Sequence, residues 1–136
     1  MKSLSILLVD DDRIERLKFR KVCQKLNSYC TVLEAVNGEE AFALLNDKNN
    51  SFDLIITDIN MPKMDGFEFL SAIKSNSKLK PIPVVIMSTS ESKIDLEKGY
   101  DIGISGYFSK PLKFADYTNK VTSLLEYWNR ASLSNS

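Results

Sequence analysis

Four short strings carry the side chains with the most chemistry. Asp10, Asp11 and Asp12 stand in a row directly after LSILLV. Asp58 follows FDLIIT and is itself followed by Ile59, Asn60, Met61 and Pro62. Ser88 and Thr89 follow IPVVIM, and Ser109, Lys110 and Pro111 follow SGYF. Carboxylates gathered in one pocket raise one another's cost of ionising, so without a counter-charge they do not all stay ionised. A hard divalent cation such as Mg²⁺, which takes carboxylate, carbonyl and water oxygens, removes that cost. Lys110 adds a fixed ammonium and Ser88 a rotatable hydroxyl. A cation, an ammonium and a hydroxyl around one carboxylate suit a phosphoryl group whose charge must be neutralised during transfer. The carboxylate itself can be the nucleophile and form an acyl phosphate.

Other chemistries are excluded by composition. The 136 residues include no histidine, which removes His-based metal sites, Ser-His-Asp triads and Cys-His pairs. Lys+Arg and Asp+Glu both number 18, and this balance lacks the electrostatic footprint of a nucleic-acid binder. Cys23 and Cys30 form no CxxC and read as reduced thiols of a reducing compartment. The apolar run Ile6 to Val9 is cut by three aspartates, so it is neither a signal peptide nor a membrane span. The expected location is the cytoplasm, with no membrane contact.

These residues need elements to position them. Apolar runs at 4–9, 31–36, 52–57, 82–87 and 105–108 alternate with helical stretches. The third and fourth runs are almost continuously apolar, as strands are when both faces of a parallel sheet are covered. Helical spacing appears at 12–27 (Phe19, Val22, Cys23, Leu26), 39–48 (Ala41, Phe42, Leu44, Leu45), 65–77 (Phe67, Leu70, Ile73) and 113–131 (Tyr117, Val121, Leu124, Trp128). Asp12 and Asp65 read as helix N-caps, and Gly66 as relief of crowding in a first helical turn. In the last helix, Leu125 and Tyr127 lie off the stripe and are expected at a contact surface, unless the stripe is wide and packs on the sheet edge. Five strands alternating with five helices make an α/β, doubly wound (βα)₅ fold with helices on both faces of an open parallel sheet. In such a sheet ligands bind beyond the carboxyl ends of the strands, where every polar group named above should fall. One domain over 1–131 with a short polar tail at 132–136 is expected.

LLVDDD, LIITDINMPKMDGFEFL, PVVIMSTS and GYFSKP together resemble the receiver domain of two-component response regulators, from Leu4 to about Trp128. The resemblance implies a flavodoxin-like five-stranded sheet of order 2-1-3-4-5. It makes Asp58 the phospho-acceptor, and Asp11 and Asp58 side-chain ligands of Mg²⁺. Asp10 would act through water, and Asn60 would offer its backbone carbonyl. Lys110 would pair with phosphoryl oxygens across a cis Lys110–Pro111 bond. Ser88 would be the switch hydroxyl and Tyr107 the aromatic that moves with it. Thr89 departs from the alanine frequent there and would crowd the phosphoryl group. STSES and LLEYW are similar to the small stand-alone receivers that partner bacterial phytochrome kinases, which favours a homodimer.

The implied function is a single-domain response regulator. A sensor histidine kinase or phosphotransfer protein phosphorylates Asp58, and a downstream protein target, or a second copy, reads the face of helix four, strand five and helix five. No effector domain follows, so the output is expected to be a protein contact or onward phosphotransfer. Two alternatives stand beside it. One is a receiver-like interaction module that takes no phosphate. The other is a Mg²⁺-dependent aspartyl-phosphate phosphohydrolase of the haloacid-dehalogenase type, against which Asn60 stands where that chemistry needs an acid.

Overall fold

The computed structural model describes residues 3–26 and 30–131. The expected tail at 132–136 lies outside the described residues. Strands and helices alternate as β1 (Leu4–Val9), α1 (Arg13–Lys25), β2 (Cys30–Ala35), α2 (Gly38–Asn46), β3 (Leu54–Thr57), α3 (Gly66–Lys74), β4 (Val84–Ser88), α4 (Lys93–Ile102), β5 (Gly106–Ser109) and α5 (Phe114–Arg130). The sheet order is β2-β1-β3-β4-β5 and every pairing is parallel. The expected doubly wound fold is therefore the observed one.

β3 and β4 are buried along their whole length, in keeping with their apolar runs. Edge strand β2 exposes Thr31 and Leu33 in alternation with half-buried neighbours. Two cores lie on opposite faces of the sheet. On one, Phe67, Phe69, Leu70 and Ile73 of α3 pack with Ala41 of α2 against Leu7, Ile55 and Ile86. On the other, Phe19 and Val22 of α1 meet Tyr117, Val121 and Leu125 of α5 over Ile6 and Ile56. Leu125 is thus core and only 1% exposed, whereas Tyr127 is 65% exposed. The expectation that both lie outside the stripe fails for Leu125 because it sits one turn beyond Val121 and four residues from it, on the same face.

Caps fix where the first and third helices begin. Asp12 accepts the Ile14 N–H at 2.9 Å. Asp65 accepts the Glu68 N–H at 2.9 Å while Glu68 accepts the Asp65 N–H at 3.1 Å, a reciprocal capping box. Because all five strands run the same way, their carboxyl ends share one edge. Chain order reverses between β1 and β3, and a doubly wound sheet opens its ligand crevice at that reversal.

Candidate functional site

Asp10 and Asp58 are the residues next after the paired strand ends Val9 and Thr57. The Asp58 N–H donates to the Val9 carbonyl at 3.0 Å and the Asp10 N–H to Ala35 at 3.0 Å, so the sheet ladder sets both backbones. The aspartate row divides by geometry. Asp10 is 4% exposed and its Oδ1 accepts the Asp12 N–H at 2.9 Å. Asp11 faces solvent, and Asp12 caps α1. Carboxylate oxygens of Asp10, Asp11 and Asp58 lie within 4.8 Å of one another. Asn60 is exposed in the turn two residues past Asp58.

Gly66 brings α3 against this turn. Its N–H donates to the Ile59 carbonyl at 2.7 Å. A Cβ at Gly66 would stand 2.2 Å from the Asp58 carbonyl oxygen, so only glycine allows the helix to approach Asp58 this closely. In the same turn Lys63 adopts φ 66°, a left-handed conformation that costs a non-glycine residue strain.

The other side of the pocket comes from β4 and β5, where Ser88 and Ser109 are register partners. Ser88 is 1% exposed and its Oγ accepts the Ser90 N–H at 3.1 Å. Thr89 points to solvent. The half-buried Tyr107 donates its hydroxyl to the Ser90 carbonyl at 3.0 Å, tying β5 to the loop after β4. The Lys110 N–H donates to the Ser88 carbonyl at 2.7 Å. Its ammonium lies 2.8 Å from Asp10 Oδ2, 3.6 Å from Glu15 Oε2 and 3.7 Å from Asp58 Oδ2. The expected cis bond is not found: all peptide bonds of the described residues are trans, Lys110–Pro111 among them. The hydrogen bond to Ser88 and the ion pair with Asp10 place the lysine without it, and trans is the lower-energy form of an X–Pro bond.

Burial pushes the Asp58 carboxyl above the ordinary carboxylate range and the Asp10 charge adds to the push. The Lys110 ammonium, the Ile59 N–H and the Ser88 hydroxyl pull the other way without cancelling it. Burial works to lower Lys110, but Asp10, Asp58 and Glu15 together carry it above the ordinary lysine value. The site therefore holds more negative charge than its one ammonium offsets. Hard oxygen donors around such a deficit, with Asp11 open to water on one side, fit Mg²⁺ or a similar divalent cation.

Glu15 is the site residue that sequence pattern conceals. It stands three residues after the N-cap Asp12, where an acid ordinarily closes a capping box. Here the Asp12 N–H goes to Asp10 instead, and Glu15 turns inward to Lys110.

The family model described as the response regulator receiver domain matches residues 6–122. This chain belongs to the response regulator receiver domain family. The receiver is 40% identical over 109 residues to the gliding motility regulatory protein of Myxococcus xanthus, covering 80% of this chain and 14% of that protein. It thus spans about a seventh of that relative's length. Among solved structures, the phosphorylated cyanobacterial phytochrome response regulator RcpA superposes with TM-score 0.91 at 32% identity, over 98% of this chain and 99% of that one. The Mn²⁺-bound response regulator Rcp1 gives TM-score 0.87 at 29% identity, over 96% and 98%. Receivers of this family bind Mg²⁺ at an acidic pocket and interact with histidine kinases and downstream targets. No helix among the described residues is long and apolar enough to cross a membrane.

Proposed function

We propose that this receiver accepts a phosphoryl group on Asp58 from the phosphohistidine of a sensor histidine kinase or phosphotransfer protein, and signals through the changed shape of its α4–β5–α5 face. One observation carries the reading: Lys110, just past the end of β5, reaches the Asp58 carboxylate at 3.7 Å from within the same group of aspartates. A fixed cation beside a lone reactive carboxylate is what phosphoryl transfer needs from a protein.

Asp58 Oδ2 attacks phosphorus as the phosphorus–nitrogen bond of the donor breaks, leaving an acyl phosphate. Lys110 neutralises charge on the transferring group. Asp10, Asp11, Asp58 and the Asn60 carbonyl would hold Mg²⁺, which supplies further neutralisation and orients phosphoryl oxygens. The RcpA structure is of a phosphorylated form and the Rcp1 structure of a Mn²⁺-bound form, which supports both parts of this reading.

Ser88 carries the signal outward. Its hydroxyl bonds the Asp58 carboxylate in the unphosphorylated protein and turns to a phosphoryl oxygen after transfer, which draws the loop holding Ser90 and releases the Tyr107 bond. α4 follows, since Ser90 Oγ donates to Asp95 at 2.8 Å. Phosphorylation need only bias two existing arrangements of this loop. Ile94, Leu96 and Tyr100 of α4 and Tyr127 of α5 are exposed, and they form the face that a target or a second copy would read.

Incubation with acetyl phosphate and Mg²⁺ followed by intact mass tests the proposal. One phosphoryl group should appear on the wild type and none on Asp58→Asn. An unmodified wild type would favour the inert interaction module, and sustained turnover of small phosphate esters would favour the phosphohydrolase.

A further inference from the structure

Glu15 lies in the first turn of α1, with Oε2 at 3.6 Å from Lys110 Nζ. That oxygen is buried and accepts no hydrogen bond among the described residues. Oε1 of the same carboxylate takes the Lys18 ammonium at 3.4 Å. Leaving a buried charged acceptor unmatched is costly, so a side chain held this way is a position kept ready for a partner. The only ammonium facing that oxygen among the described residues is Lys110.

Lys110 is meanwhile committed elsewhere. It holds Asp10 Oδ2 at 2.8 Å, while Asp10 Oδ1 is taken by the Asp12 N–H. Asp10 also belongs to the group of three carboxylates that could hold a divalent cation. An ammonium and a dication cannot both use Asp10 without repelling one another at short range. The lysine therefore needs another counter-ion within a small movement of its flexible stem.

We infer that Glu15 is a positioning residue for Lys110, a second counter-ion that takes up the ammonium and frees Asp10 for the divalent cation. This rests on the reading above that Asp10, Asp11 and Asp58 bind Mg²⁺. Glu15 is outside that group of three and acts through the lysine. With Glu15 neutral, the ammonium stays on Asp10 and opposes the incoming cation.

A double-mutant cycle read by calorimetric titration of Mg²⁺ at constant ionic strength tests this. Wild type, Glu15→Gln, Lys110→Met and the double variant are compared, with melting curves to show that each is folded. Lys110→Gln repeats the cycle should the methionine variant melt early. Glu15→Gln should weaken Mg²⁺ binding about three- to fivefold while Lys110 is present, the scale of one lost ion-pair contact. Without Lys110 the same change should do nothing. Equal affinity of Glu15→Gln and wild type would overturn the inference and leave the metal site standing. Equal weakening with and without Lys110 would also overturn it, since Glu15 would then act only as a nearby charge. A wild type that binds no Mg²⁺ would remove the metal reading, and this inference with it.

Discussion

At the scale of the residue, the pocket separates side chains of one type by what surrounds them. Asp10 is buried against Lys110, Asp11 is open to water, and Asp58 is pushed up by burial and by Asp10. A carboxyl with a raised folded pKa costs stability when ionised, because the folded state binds the proton more tightly than the unfolded chain. For Asp58 the sign is therefore the reverse of the usual aspartate: its ionised form weakens the fold at neutral pH, and that cost is relieved as pH falls through its raised value. Asp58→Asn should raise the melting temperature in metal-free buffer by a few degrees, roughly the effect of 1 kcal/mol in a domain of this size. The gain over wild type should shrink as the buffer is acidified toward the raised value. Added Mg²⁺ should narrow it from the other side by stabilising wild type more than the variant. Scanning calorimetry with and without Mg²⁺ reads all three; a variant that melts below wild type in metal-free neutral buffer would show that Asp58 is not strained by its own charge.

At the scale of the element, the turn between β3 and α3 bears the tightest steric constraint on the site. Gly66→Ala should cost about 3 kcal/mol, because the added methyl meets the Asp58 backbone rather than a yielding side chain. Urea midpoints check this, and the variant should lose phosphorylation even under conditions where it is folded. Lys63→Gly in the same turn should be neutral or stabilising by up to about 1 kcal/mol, since it relieves a left-handed residue. What could be read from the sequence follows the same physics. β1 is legible to the residue and the capped helices α1 and α3 nearly so, because burial and capping both leave a pattern. α4 is required by alternation alone: it buries only Gly99 among its residues and exposes Ile94, Leu96 and Tyr100, so it presents no stripe. Asp10, Asp11, Asp58, Ser88 and Lys110 could be placed at one sheet edge because each comes at or just after the end of a strand-like run, Ser88 being itself the last residue of β4. Glu15 could not, since its approach to Lys110 joins residues far apart in the chain and its spacing from Asp12 suggests a cap. The geometry of Lys110–Pro111 likewise depends on tertiary contacts that no dipeptide records.

At the scale of the whole molecule, the fold brings Asp10, Asp11, Asp58 and Lys110 to a single edge, and hydrogen bonds join Ser88 to Ser90 and Ser90 to Tyr107 of β5. Tyr107→Phe removes the hydroxyl's bond to the Ser90 carbonyl and should cost about 1 kcal/mol of stability in the unphosphorylated state. The same change should bias the loop toward its released arrangement. Amide exchange across 88–92 would show it as faster opening without phosphate, and unchanged protection would contradict the coupling. A dimer built on the exposed α4 and α5 side chains should form more readily once Asp58 is phosphorylated, which light scattering on both forms would detect. Reductive mapping identifies the acceptor. Borohydride treatment of the phosphorylated protein reduces an aspartyl phosphate to homoserine, which tandem mass spectrometry locates. Homoserine should appear at position 58 and at no other aspartate; homoserine at position 10 or 11 instead, or a phosphoryl group on another residue type, would rule out Asp58 as the acceptor.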